Sequence, residues 1–164
     1  MRPIAEPAGP GQESVWSYPR PAIAQPTRSH ILIEHGGRII AETRSAIRTI
    51  ETSHPPSYYI PPGDIAPGVL RSAAGSSFCE WKGVAAYWDV VVGDVVLPRV
   101  GWSYPRPSVE FASLRDHVAF YARHFDRCMV DGETVIPQPG GFYGGWITSG
   151  LAGPFKGGPG TNNW

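Results

Sequence analysis

The residues best suited to chemistry fall in two short strings. Glu51-Thr52-Ser53-His54-Pro55-Pro56 runs into Tyr58-Tyr59. A histidine titrates near neutral pH and suits proton transfer, and a carboxylate three residues before it can orient it or act with it. The two prolines stiffen the segment, so the group can be held rigidly at a strand end. The structural alternative is that His54 hydrogen-bonds its own loop and the tyrosines fill the core. The second string is Cys79-Glu80-Trp81-Lys82-Gly83, leading to Tyr87-Trp88. A cysteine near a lysine is a candidate nucleophile, and Lys82 could hold an anion or a carbonyl. The bland counterparts are a buried structural cysteine and a solvated lysine.

Other chemistries find less support. Glu51, His54 and Cys79 are metal-ligand types, and so are His117, His124 and Cys128. On a helix the last three would spread over too many turns to form one compact site. Neither Cys-x-x-Cys nor His-Glu-x-x-His occurs, so no metal ligands are assigned. Gly153 to Gly160 is glycine-rich but lacks the Gly-Lys-Ser/Thr ending of a phosphate loop, and its prolines remove backbone donors. No Gly-x-Ser-x-Gly elbow is present. The sequence names no cofactor.

These strings must be positioned by β structure. Three runs of β-branched residues are joined by two-residue turns that tolerate positive φ. Ile31–His35 meets Arg38–Ala41 across Gly36-Gly37, Trp88–Val92 meets Val95–Leu97 across Gly93-Asp94, and Met129-Val130 meets Glu133–Ile136 across Asp131-Gly132. Further strands are expected at 46–52, at 57–60 and, shorter, around 146–149. Phe111, Leu114, Val118, Tyr121 and Phe125 follow a helical period. With Ser113 and Asp116 as a capping box, they predict one packed helix over about 112–126. The expected fold is therefore mainly β: a single compact antiparallel domain with one α-helix. Residues 1–14 are expected to form a flexible arm and 15–164 the domain, with a Gly/aromatic-rich C-terminal segment wrapping back over the body.

One string occurs twice. Trp16-Ser17-Tyr18-Pro19-Arg20-Pro21 recurs as Trp102-Ser103-Tyr104-Pro105-Arg106-Pro107. It suggests an internal duplication with pseudo-symmetric halves, one structural device used twice, or two anchors for chain ends.

Composition bounds the class. A chain of 164 residues fits one domain with a real core. Formal net charge is zero, and Lys and Arg are scattered, which argues against the basic stripe of a nucleic-acid binder. Two cysteines make no disulfide framework, residues 1–14 hold no apolar run, and no stretch approaches a membrane span. The expectation is a reduced, cytoplasmic protein, with neither membrane nor nucleic acid as partner.

His54-Pro55-Pro56-Ser57-Tyr58-Tyr59, Cys79-Glu80-Trp81-Lys82-Gly83, Tyr87-Trp88, Trp102-Ser103-Tyr104-Pro105, His117-Val118-Ala119-Phe120-Tyr121 and Asp131-Gly132-Glu133 together resemble a bacterial family known as domain-of-unknown-function family 427 (DUF427). The resemblance runs from about residue 14 to the end. Glu80 departs from the proline expected between Cys and Trp. The resemblance implies a compact β-rich domain with one helix, and a nucleotidyltransferase-like label is sometimes attached to it. That activity needs two carboxylates one residue apart after a Gly-Ser turn. Gly75-Ser76 is followed by Asp89, but Val91 stands at the second position.

The leading expectation is a protein that binds a small molecule of unknown identity, with enzymatic activity left open. Tyr58, Tyr59, Trp81, Tyr87 and Trp102 would line the pocket, with Glu51 and His54 as acid/base pair, Lys82 as a positioning cation and Cys79 as a lesser candidate. The alternatives are a non-catalytic interaction module using exposed aromatics of the Pro-rich segments and the C-terminal tail, with self-association equally compatible, and nucleotidyl transfer.

Overall fold

The computed structural model describes residues 2–164 and is dominated by antiparallel strands. In chain order these are β1 (Glu13–Ser14), β2 (Ile23–Pro26), β3 (Ile31–His35), β4 (Arg38–Thr43), β5 (Ile47–Ile50), β6 (Ser57–Ile60), β7 (Leu70–Cys79), β8 (Gly83–Val92) and β9 (Val95–Ser103). There follow β10 (Val118–Phe120), β11 (Arg127–Val130), β12 (Glu133–Thr134), β13 (Ile136–Pro137), β14 (Trp146–Ile147) and β15 (Leu151–Ala152). The three expected hairpins form, the third with a shorter second strand: β12 ends at Thr134, and Ile136 pairs with Ile147 of β14 instead. Gly36 and Gly37 have φ of 58° and 73°, and Asp131 and Gly132 have 49° and 81°, the positive pairs that two-residue hairpin turns require. The strands expected at 46–52 and 146–149 are present but shorter.

A seven-stranded sheet runs in the order β2-β5-β6-β10-β9-β8-β7, and a four-stranded sheet in the order β12-β11-β3-β4. The main core lies between them. Ile31 and Ile33 of β3, Ile40 of β4 and Cys128 of β11 meet Tyr58 and Ile60 of β6, Val90 of β8, and Val118 and Phe120 of β10. Period-two alternation along each strand gives the large sheet a second apolar face, carrying Tyr59, Ala85, Trp102, Tyr104 and Ala119. That second face builds the site.

The helix expected over 112–126 does not form. A 3₁₀ turn spans Val109–Leu114, Asp116 takes φ 61°, β10 follows, and a second 3₁₀ turn spans Ala122–His124. The reason is tertiary. Val118, Ala119 and Phe120 are all buried and fill the gap between β6 and β9, where ladders on both sides satisfy their backbone. The apolar stripe is consequently split: Phe111 and Leu114 join the second face, while Val118 and Phe125 join the main core. Ser113 caps nothing, because no helix starts there.

The repeated hexapeptide takes two conformations. Trp16 and Ser17 lie in a 3₁₀ turn at Val15–Ser17, whereas Trp102 and Ser103 end β9. Both tryptophans are buried and donate through Nε1, to the Pro154 carbonyl and to the Tyr59 hydroxyl respectively. The shared string supplies an anchored indole in both places but not a shared backbone.

Residues 2–14 run beside the C-terminal segment, with Met1 outside the described residues. Glu6 N–H donates to the Gly153 carbonyl at 2.8 Å, and β1 pairs in parallel with β15. Among the described residues, no helix is long and apolar enough to cross a membrane.

Candidate functional site

The second face of the large sheet opens into a cavity of about 650 Å³. Its floor is uneven by design of the alternation. Ala22 and Ala85 leave space, while Tyr59, Tyr87, Trp102 and Tyr121 rise around it. The end of β7 and the turn into β8 supply one wall, from Ser77 to Lys82. The β5–β6 loop supplies Glu51, His54 and Pro55, and the glycine-rich segment supplies Gln138, Tyr143 and Lys156.

The two strings singled out by residue type therefore meet on one cavity. Glu51, His54, Cys79 and Lys82 all line it, as do Tyr59, Trp81, Tyr87 and Trp102. Tyr58 is the exception. It is adjacent to Tyr59 on β6, so its side chain takes the opposite face and packs 5.4 Å from the Trp146 ring in the main core.

Glu51 Oε2 and His54 Nε2 are 3.5 Å apart. The Gln138 amide determines which histidine nitrogen carries the proton. Gln138 Oε1 accepts from Gly145 N–H at 3.0 Å, which assigns Nε2 as the NH₂ group. That group donates to the Lys156 carbonyl at 2.9 Å and to His54 Nδ1 at 3.0 Å. Nδ1 is thus an acceptor, and the neutral ring carries its proton on Nε2, facing Glu51. Burial lowers the His54 pKa to about 4, assisted by the charges of Lys156, Arg20 and Lys82, so the ring is uncharged at neutral pH. The Tyr143 ring stands edge-on to it at 4.7 Å. Burial raises the Glu51 carboxyl above its ordinary value, and Lys82, Arg20 and Lys156 oppose the rise.

Cys79 is half-buried, with Sγ 4.0 Å from Lys82 Nζ. Lys82 Nζ also lies 5.5 Å from the Phe111 ring centre. Cys128, by contrast, is buried in the main core, and burial pushes its thiol up to about 12. Of the other ligand types considered, His124 reaches the cavity. Among the described residues no three His, Cys, Asp or Glu side chains gather as metal ligands do. Asp89 is engaged elsewhere: its carboxylate accepts from Arg99 N–H at 2.8 Å and from Arg71 at 3.2 Å.

Residue types alone did not indicate Arg99, Arg123, Gln138, Tyr143 or Lys156. Arg99 sits in a bulge where Asp89 of β8 faces Pro98, Arg99 and Val100 of β9. Its φ of 50° turns the side chain onto the Tyr87 ring, 4.3 Å from the centre. Pro98 inside a strand run was the available signal of that bulge. Gln138, Tyr143 and Lys156 come from a segment whose path depends on Gly140, Gly144 and Gly145. A Cβ on Gly144 would stand 2.2 Å from Trp102 Cη2.

The fold and cavity define an antiparallel β protein with a polar, aromatic-walled site on one sheet face. The family described as domain of unknown function (DUF427) matches residues 23–131, and the chain belongs to this family. The match includes the Glu51–His54 and Cys79–Lys82 strings and ends before the glycine-rich wall. No curated protein matches the chain.

Proposed function

We propose that this protein binds a small molecule in the cavity and transfers a proton to or from it. The convergence of Glu51, His54 and Lys82 at one end of an aromatic-walled space carries the reading. Glu51, with its carboxyl raised by burial, is the base. His54 serves as an N–H donor through Nε2, stabilising charge that develops on a ligand oxygen, because Gln138 occupies Nδ1. Lys82 fixes the group on which that charge grows. Cys79 is available beside Lys82 as a covalent alternative.

The interaction-module reading has less to stand on. Trp16, Tyr18, Trp102 and Tyr104 of the Pro-rich segments are buried rather than presented, and Phe142 is the large exposed aromatic of the tail.

A thermal-shift screen against small metabolites tests the proposal. A ligand at about 100 times its dissociation constant adds roughly 2.7 kcal/mol, several degrees for a domain of this size. Hits should be weakened by Lys82→Ala, and Glu51→Gln should retain binding but lose turnover. Turnover at the wild-type rate in Glu51→Gln overturns the assignment of the base.

A further inference from the structure

We infer that Arg99 and Arg123 form an anion subsite at the cavity mouth, taking the carboxylate or phosphate of a ligand whose planar ring lies against Tyr87, Tyr121 and Trp102. The inference rests on the cavity being a ligand site and adds the class of ligand. It starts from charge. The chain has formal net charge zero, yet Lys82, Arg99, Arg123 and Lys156 line the cavity against Glu51 and Glu80. Among the described residues, no Asp or Glu stands within 4.0 Å of any of these four cations, whereas Arg48, Arg71 and Arg127 each pair with one. A positive cavity in a neutral protein selects anions and raises their local concentration.

The two arginines are held without being used up. The Arg99 backbone is fixed in its bulge by the 2.8 Å bond to Asp89, and its guanidinium lies over Tyr87. A stacked guanidinium keeps its N–H edge free for two parallel bonds to a carboxylate or phosphate. Arg123 donates Nε to His124 at 3.3 Å and Nη2 to the Gly141 carbonyl at 3.2 Å, which orients the fork and leaves Nη1 free. Both arginines act on one phenol. Burial and Tyr87 push the Tyr121 hydroxyl up, and Arg123 and Arg99 pull it down. The Tyr121 ring lies 4.6 Å from Trp102, which continues inward to Tyr59. An anion at the mouth thus places an attached ring along the aromatic wall and its far end toward Glu51 and His54.

Tryptophan fluorescence titration of the full chain with benzoate, phenyl phosphate and phenol tests the inference. Benzoate or phenyl phosphate should bind at least about tenfold more tightly than phenol, and the better of the two names the anion. Arg99→Gln and Arg123→Gln should each weaken the preferred anion about tenfold and leave phenol unchanged. Arg99→Lys, which keeps the charge but loses the fork, should fall between. Both residues are exposed, so these variants should melt with the wild type, and a melting curve confirms that. Phenol binding as tightly as the anions overturns the subsite while leaving the cavity reading intact. Wild-type anion affinity in both glutamine variants, or no binding by either anion up to about 10 mM, also overturns it. The metabolite screen with Glu51→Gln then judges the cavity reading separately.

Discussion

Gln138 donates its amide N–H to His54 Nδ1 across 3.0 Å, joining two residues 84 positions apart. The same amide holds Gly145 N–H and the Lys156 carbonyl, so one buried side chain ties the histidine loop to the glycine-rich wall. Replacing it with leucine removes three bonds and leaves buried partners unsatisfied. Gln138→Leu should cost about 2–4 kcal/mol in chemical denaturation. In ¹⁵N spectra the His54 proton should reside on Nε2 in the wild type and lose that preference in the variant. A His54 ring protonated at Nδ1 in the wild type would contradict the assignment.

The buried, neutral His54 makes stability depend on pH. Its folded pKa of about 4 lies below the ordinary 6.5, so the unfolded chain takes up a proton that the native chain resists. The contribution is complete above pH 6.5 and is lost as pH falls from there toward 4. Its full size is about 3 kcal/mol. Glu51 acts in the opposite sense: its raised carboxyl favours the native state as pH falls toward its ordinary value of 4.5. Comparing wild type with His54→Asn between pH 7 and pH 4.5 isolates the histidine. The variant should lose less stability over that interval, and equal losses would remove the effect from His54.

Gly144 is a close-approach glycine. Because an added Cβ would meet the Trp102 indole at 2.2 Å, Gly144→Ala must displace either the ring or the glycine-rich wall. Destabilisation of about 1–3 kcal/mol is expected, with a change in tryptophan emission. Gly150→Ala, whose Cβ would find only ordinary contact at 3.6 Å, is the control and should leave the emission unchanged.

The two thiols should differ in reactivity. Cys79 borders the cavity, while Cys128 is buried with its thiol pushed up to about 12. Titration of the native protein with a thiol reagent should count one fast cysteine, and titration in denaturant should count two. Cys79→Ser should abolish the fast phase. A ligand in the cavity should slow it.

The Trp102–Tyr59 hydrogen bond, 3.1 Å and buried, fixes an indole that lines the cavity. Trp102→Phe keeps most of the apolar contact and removes the N–H. A loss of about 1–2 kcal/mol is expected from denaturation curves, and unchanged stability would show that the phenol finds another partner.

Much of the mainly β architecture was legible locally. The Gly36-Gly37 and Asp131-Gly132 turns force hairpins because only positive φ pairs connect such strands without splaying them. The Glu51–His54 and Cys79–Lys82 strings, singled out by residue type, both reach the cavity. Local pattern failed where burial is decided across the chain. Phe111 to Phe125 repeats with helical spacing, yet a vacant position between β6 and β9 draws Val118–Phe120 into a strand.

By itself, then, the sequence determined the residue types that line the cavity and three of the hairpins, because turn chemistry and alternation act over a few residues. The β7–β8 turn that carries Cys79–Lys82 was not among them. Tertiary structure decided which tyrosine of the Tyr58-Tyr59 pair faces the cavity. It also decided that Gln138 reads the His54 ring and that Arg99 is turned onto Tyr87. Those outcomes depend on sheet register, a bulge and contacts between residues far apart in the chain, and such contacts exist only once the long-range ladders have closed.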